Sequence, residues 1–174
     1  IEKKLNKPVI KHILNTSGIE NYTNNCFDMV RLGIGIYGIS KNLKLNNVAT
    51  LKTKISKIRT VSPNKQIGYG TKSTVKQKIK IGIIPIGYAD GFSRALGNGK
   101  ATVFINGNYA PTFGNICMDM SFINLTSIDA KIGDTVEIFG ENNSIEKLAI
   151  SMNTIPYEIL SSISNRVVRV YNKD

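Results

Sequence analysis

From Leu51 onward the chain is a succession of short apolar runs, each closed by a turn signal, and this spacing constrains the fold more than any other feature. The runs are Leu51 to Val61, ending at Ser62-Pro63-Asn64; Ile79 to Ile86; Ala101 to Ile105, ending at Asn106-Gly107; Tyr109 to Phe113; Ile116 to Leu125; and Thr135 to Phe139, ending at Gly140. Short runs rich in Ile, Val, Phe and Tyr predict strands, and Asn-Gly between two of them predicts a tight hairpin, whose central residues need positive φ. Such spacing specifies a compact, mainly β domain, barrel or sandwich. The register of Leu51–Val61 stays open, because Leu51, Ile55 and Ile58 also fit helical spacing. Two short helices are expected late: Ser144 caps one with Ile145, Leu148, Ala149 and Met152 on a single face, and Thr154 caps another that carries Pro156 in its first turn. Arg166 to Tyr171 reads as a last strand.

The segment before Ala49 has a different character. Pro8 to Leu14 is a strand candidate that ends in Asn15-Thr16-Ser17-Gly18. Small hydroxyl and amide side chains with a glycine at a helix start suit a phosphate, although an ordinary polar turn has the same composition. Phe27, Met29 and Val30 lead through Arg31 into Leu32-Gly33-Ile34-Gly35-Ile36-Tyr37-Gly38. A strand with so many glycines is weak by itself, so the segment is expected to pack into a larger parallel sheet or to make room for a flat ligand. Arg31, a lone guanidinium beside that wall, is either a surface charge or the partner of a planar ring.

The stretch with the clearest chemical content is Ile83-Ile84-Pro85-Ile86-Gly87-Tyr88-Ala89-Asp90-Gly91. A β-branched run stops at Gly87 and delivers a phenol and a carboxylate to a rim, with glycines on both sides that allow a tight turn and close backbone approach.

Composition narrows the function classes. Net charge is +11, yet the lysines are scattered along solvated strand faces (Lys52, Lys54, Lys57; Lys76, Lys78, Lys80) and tryptophan is absent, so nucleic acid is not the expected partner. No apolar run has the length of a membrane span and the start carries no signal segment, so a cytoplasmic setting is expected. Cys26 and Cys117 are read as two reduced, mostly buried thiols, and with His12 the sole histidine no His/Cys metal site is expected.

Four motifs stand in order: His12-Ile13-Leu14-Asn15-Thr16-Ser17, Phe27-Asp28-Met29-Val30-Arg31-Leu32-Gly33-Ile34, Ile86-Gly87-Tyr88-Ala89-Asp90-Gly91 and Ile116-Cys117-Met118-Asp119. A fifth, Thr154-Ile155-Pro156-Tyr157-Glu158, and the ending Arg166-Val167-Val168-Arg169-Val170-Tyr171 complete the set. Together they resemble the carboxy-terminal portion of the alanine racemases, pyridoxal-phosphate enzymes that interconvert L- and D-alanine, and the resemblance covers essentially the whole chain.

The resemblance implies a β domain over residues 49–174, barrel-like, preceded over residues 1–48 by a remnant of an α/β barrel comprising its last two strands. It implies that Asn15, Thr16, Gly33 and Ile34 lie at the cofactor phosphate together with the Tyr157 hydroxyl, and that Arg31 meets the pyridine nitrogen. Thr16 stands where the family more often has serine, which keeps the hydroxyl. Tyr88 matches the family's second catalytic base, given to the active site of the opposite subunit in a head-to-tail homodimer, and Met118 and Asp119 match its substrate-binding loop. A tyrosine has a reference pKa of about 10, so that role requires neighbouring cations or hydrogen bonds to the phenolate. The departure is the Schiff-base lysine: the family carries it in a Lys-Ala-x-Ala-Tyr-Gly motif that this sequence lacks. The chain is therefore expected to be a carboxy-terminal fragment, inactive alone, of a longer racemase. A racemase for serine or a broader amino-acid set, a related decarboxylase, and a basic non-catalytic β module are the alternatives.

Overall fold

The computed structural model describes Lys4 and residues 7–69 and 74–172. It divides into two compact units, Ile1–Ala49 and Thr50–Asp174.

In the first unit, helix α1 (Thr16–Asn21) begins where the Asn15 side chain accepts a hydrogen bond from the Gly18 N–H at 2.9 Å. An Asn at this position satisfies one of the amides that a helix start leaves without a partner. The strand expected over Pro8–Leu14 is reduced to a single parallel bridge, His12 to Met29. Pairing at one point does not build a ladder, and Ile10, at 73% exposure, has no face to pack against, whereas Leu14 is buried. The glycine-rich segment is not a strand either: it curls into a 3₁₀ turn over Ile34–Tyr37 that ends at Gly38 with φ of 78°.

The second unit holds seven strands among the described residues: β1 (Leu51–Lys54), β2 (Lys57–Val61), β3 (Ile79–Ile84), β4 (Thr102–Ile105), β5 (Asn108–Pro111), β6 (Ser121–Asn124) and β7 (Thr135–Phe139). They form two antiparallel sheets, ordered β1-β7-β4-β5 and β2-β3-β6, and a bridge from Thr112 to Ile123 joins them. The mainly β expectation holds. So does the hairpin, since Asn106 and Gly107 both take positive φ, 45° and 78°.

Leu51–Val61 is neither one strand nor a helix. It breaks at Ile55-Ser56 and sends its halves to different sheets, because distant partners claim the backbone there. The Ile55 N–H donates to the Asp134 carbonyl, the Ile55 carbonyl accepts from Gly133, and the Ser56 N–H donates to Ile83. Ile55 itself is buried to 1% exposure.

Fully buried Ile84, Val103, Ile105, Ala110, Ile123, Val136 and Ile138 form the centre of the unit. Each such Ile or Val side chain stabilises by about 1.5–3 kcal/mol relative to exposure. Helix α2 (Ile145–Met152) buries Ile145, Leu148 and Ala149 and is capped as expected by Ser144, whose hydroxyl accepts from the Lys147 N–H. Helix α3 (Pro156–Ser162) starts one residue later than expected: Ile155 is its cap, Pro156 occupies the first turn, and the Thr154 hydroxyl instead bonds the Glu158 carboxylate.

Two further expectations are corrected. Ile116–Met120 is a loop, with β6 beginning only at Ser121. Arg166–Tyr171 forms no strand. Val168, Val170 and Tyr171 are exposed, and Arg169 uses its guanidinium on the carbonyls of Ile163, Ser164 and Val167, which ties the segment back on itself. Of the cysteines, Cys117 is buried and Cys26 exposed. Among the described residues no helix is long and apolar enough to cross a membrane.

Candidate active site

Strand β3 ends at Ile84, and after Pro85 and Ile86 the chain turns sharply through a 3₁₀ turn, Tyr88–Asp90. Two backbone hydrogen bonds fasten this turn to the 116–120 loop: Tyr88 N–H to the Cys117 carbonyl at 3.0 Å and Ala89 N–H to the Met118 carbonyl at 3.1 Å. The approach is so close that a side chain at position 87 has no room, since a Cβ there would lie 2.3 Å from the carbonyl oxygens of both Cys117 and Met118. Gly91 closes the turn with φ of 105°, against the Ser162 carbonyl. Two glycines flanking the phenol therefore have separate reasons, contact at 87 and backbone conformation at 91.

Asp90, expected at the rim beside the phenol, is instead buried beneath the turn at 9% exposure, because the Gly87 amide and Arg166 draw its carboxylate inward. One carboxylate oxygen accepts from the Gly87 N–H at 2.8 Å and the other from Arg166 Nε at 2.6 Å. Burial works to raise the Asp90 carboxyl, but the Arg166 hydrogen bond, the Gly87 amide and the guanidinium charge outweigh it and hold the group below the usual carboxylate range. Arg166 reaches further, with Nη2 on the Asp119 carboxylate at 2.5 Å, and both carboxylates push the guanidinium's own pKa upward. One arginine thus ties the Tyr88 turn to the Met118-Asp119 loop.

The phenol itself projects from this scaffold. Tyr88 is 41% exposed, and its hydroxyl makes no hydrogen bond among the described residues. It lines an open cavity of about 460 Å³ together with Tyr69, Arg94, Cys117, Met118 and Asp119. Tyr69 is steadied there through its carbonyl, which accepts from the Asn115 side chain at 2.9 Å.

A second group of the expected residues gathers in the Ile1–Ala49 unit. The buried Thr16 hydroxyl oxygen accepts from the amides of Gly33 at 3.0 Å and Gly35 at 3.3 Å, which joins the start of α1 to the glycine segment. Ile34 is buried between them. Arg31 donates its backbone N–H to Leu14 and one guanidinium N–H to the Ile13 carbonyl, both at 2.7 Å. Tyr157, half-exposed at the start of α3, does not line the Tyr88 cavity.

The sequence puts Tyr88, Met118 and Asp119 in one group and Asn15, Thr16, Arg31, Gly33, Ile34 and Tyr157 in another. It gives no role to Arg166, Arg94 or Tyr69, and for Asp90 only a place at the rim. For Arg166 and Asp90 the only signal was membership of the closing and Gly-Tyr-Ala-Asp-Gly motifs, because a contact spanning 76 residues leaves no local pattern.

Residues 48–171 match the family model described as alanine racemase, C-terminal domain. The chain belongs to that family.

Among the relatives of this alanine racemase domain are alanine racemase 1 of Clostridium acetobutylicum, 39% identical over all of the chain and 48% of the relative, and alanine racemase of Clostridium perfringens, 41% identical over 95% and 46%. Solved structures agree. Alanine racemase of Clostridium difficile 630 in complex with cycloserine superposes with a TM-score of 0.86 at 38% identity, covering 95% of this chain and 47% of that one. The Bartonella henselae enzyme with covalently bound pyridoxal phosphate gives 0.88 at 32% identity, covering 95% and 48%. The chain spans about half the length of the curated relatives it matches.

Proposed function

We propose that this chain supplies the carboxy-terminal part of an alanine racemase, in which Tyr88 moves the α-proton on one face of the substrate. The observation that supports this most directly is the phenol's setting: exposed, its hydroxyl without a hydrogen bond among the described residues, and mounted on a turn locked to the Met118 loop. A proton-transfer group needs that combination of access and fixed height.

In this reading residues 49–174 are the β domain and residues 1–48 belong to the cofactor-holding α/β barrel. The Ile1–Ala49 residues suit pyridoxal phosphate by the chemistry of their donors. Thr16 brings a buried hydroxyl into a glycine-lined fold where a Cβ at position 35 would stand 3.0 Å from the threonine methyl, and Asn15, Gly33 and Ile34 border it. These residues would hold the phosphate. Arg31 keeps a guanidinium beside them, a set of N–H donors with no acceptor atom, so it would face the pyridine nitrogen as a donor and leave that nitrogen unprotonated. When bound, the cofactor withdraws electrons from the amino acid's α-carbon and makes its proton removable.

Tyr88 Oη, as phenolate, accepts that proton or, as phenol, returns one. Stereochemical inversion requires a second base on the opposite face, for which this sequence has no lysine in the family's context. The Met118-Asp119 loop stands beside the phenol, where its backbone would meet the substrate carboxylate. Tyr88 and that loop would serve the active site of the partner subunit in a head-to-tail homodimer located in the cytoplasm. The 174-residue chain alone is accordingly inactive.

The test is Tyr88→Phe in the full-length protein, read as α-proton exchange with solvent from each enantiomer. Loss of about 10²-fold or more for one enantiomer only supports the role. Equal retention for both removes it. Parallel assays with serine separate a broader racemase from an alanine-specific one.

A further inference from the structure

We infer that Arg166 is a positioning residue for the site, holding the Tyr88 turn and the Met118 loop in register through a fork between two carboxylates. The inference rests on the racemase reading of Tyr88, which it deepens. Its geometry is asymmetric. On one side Nε meets Asp90, a side chain that is 12% exposed and is itself fixed by the Gly87 amide; on the other, Nη2 meets Asp119, whose side chain is 58% exposed.

The buried arm anchors the guanidinium to the turn that carries the phenol. The exposed arm reaches the loop that lines the same cavity. Exposed ion pairs add little to global stability, so the Asp119 arm has a positional effect rather than a stabilising one. The backbone before Arg166 brings it into position, because the Ser164 N–H donates to the Asp90 carbonyl at 3.2 Å and so sets the guanidinium directly against the turn. A planar fork with separate N–H groups can address two carboxylates at once, whereas a lysine ammonium on a flexible stem keeps the charge without fixing the angle between them.

This arrangement also assigns Asp119 a partner other than substrate. A carboxylate engaged by Arg166 keeps its negative charge balanced beside a loop expected to receive the substrate's own carboxylate. Without Arg166, two like charges would face each other there.

The experiment compares wild type, Asp119→Asn, Arg166→Lys and Arg166→Gln in the full-length protein. Amide hydrogen exchange over residues 86–91 and 116–120 is measured alongside kcat and KM. Asp119→Asn alters only the exposed arm and keeps the fold, so it carries the decision should the Arg166 variants fold poorly. We expect exchange at the Tyr88 and Ala89 amides to rise at least fivefold in Asp119→Asn and more in Arg166→Gln, with strands β4 and β7 unchanged. The kcat should fall at least tenfold. Arg166→Lys should restore neither quantity. Unchanged exchange in Asp119→Asn, or full recovery by lysine, overturns the inference. A wild-type protein that does not racemise alanine sinks the activity reading alone, and the exchange data still decide whether the fork sets the loops.

Discussion

The two units carry comparable numbers of expected site residues and hold them by different means. In Thr50–Asp174 the Tyr88 turn is fastened by backbone bonds to the neighbouring loop, by the Arg166 fork, and by a buried core directly beneath. In Ile1–Ala49 the Thr16 and Gly33 cluster is held by three side-chain-to-amide bonds and by the Arg31 bonds to Ile13 and Leu14, while Ile10, Ile13, Phe27, Met29, Leu32 and Ile36 are exposed. A motif can therefore be equally readable in two places while the buried apolar support around it differs.

The sharpest way to break this contrast is Gly87→Ala. Its methyl would overlap two backbone carbonyls that belong to a bonded loop, so nothing flexible can yield. Denaturant unfolding should show a loss of about 4 kcal/mol, in the range that single substitutions reach only through a specific clash. A loss under about 1 kcal/mol would mean that the loop is not held as described.

Next in size is acid sensitivity. The Asp90 carboxyl is lower in the folded chain than its unfolded value near 3.8, so its contribution is complete above that value and fades as the pH falls through it towards the folded pKa. Stability measured from about pH 6 down to about pH 2.5 should fall more steeply below about pH 4 in wild type than in Asp90→Asn. Identical slopes would detach Asp90 from the guanidinium.

In the first unit, Thr16→Val removes the acceptor for two glycine amides and should weaken cofactor affinity of the full-length protein about tenfold, with Thr16→Ser close to wild type, as for a charge-assisted hydrogen bond to phosphate. Titration by fluorescence gives both values. Equal affinity for all three would leave the cradle without its hydroxyl. The smallest effect is Ile10→Ala in the 174-residue chain, expected to change unfolding free energy by less than about 0.5 kcal/mol because the side chain has no face to leave.

How far the sequence reaches follows the same division. The Asn106-Gly107 hairpin was legible because turn chemistry is local, and so was the Ser144 cap. Tyr88 was legible as an exposed phenol because an apolar run stopping at Gly87 implies a rim. Break points were not. Nothing between Leu51 and Val61 announces that Ile55 will bond to residues near Gly133 and Ser56 to Ile83, and no local pattern competes with such partners. The closing segment failed in the opposite sense: Val167, Val168 and Val170 have strand propensity, but propensity without a neighbouring edge forms no ladder, and the arginines there serve carboxylates and carbonyls instead. Arg166 was therefore visible only as one letter of a motif, with no hint of the two carboxylates it joins.

The division of Leu51–Val61 between two sheets has a mechanical corollary. This single short segment acts as a hinge pin through both layers, so neither layer can detach without dragging the other's edge strand out of place. Heat or denaturant should consequently dismantle the β layers in a single step, and probes attached to opposite layers should report one shared midpoint.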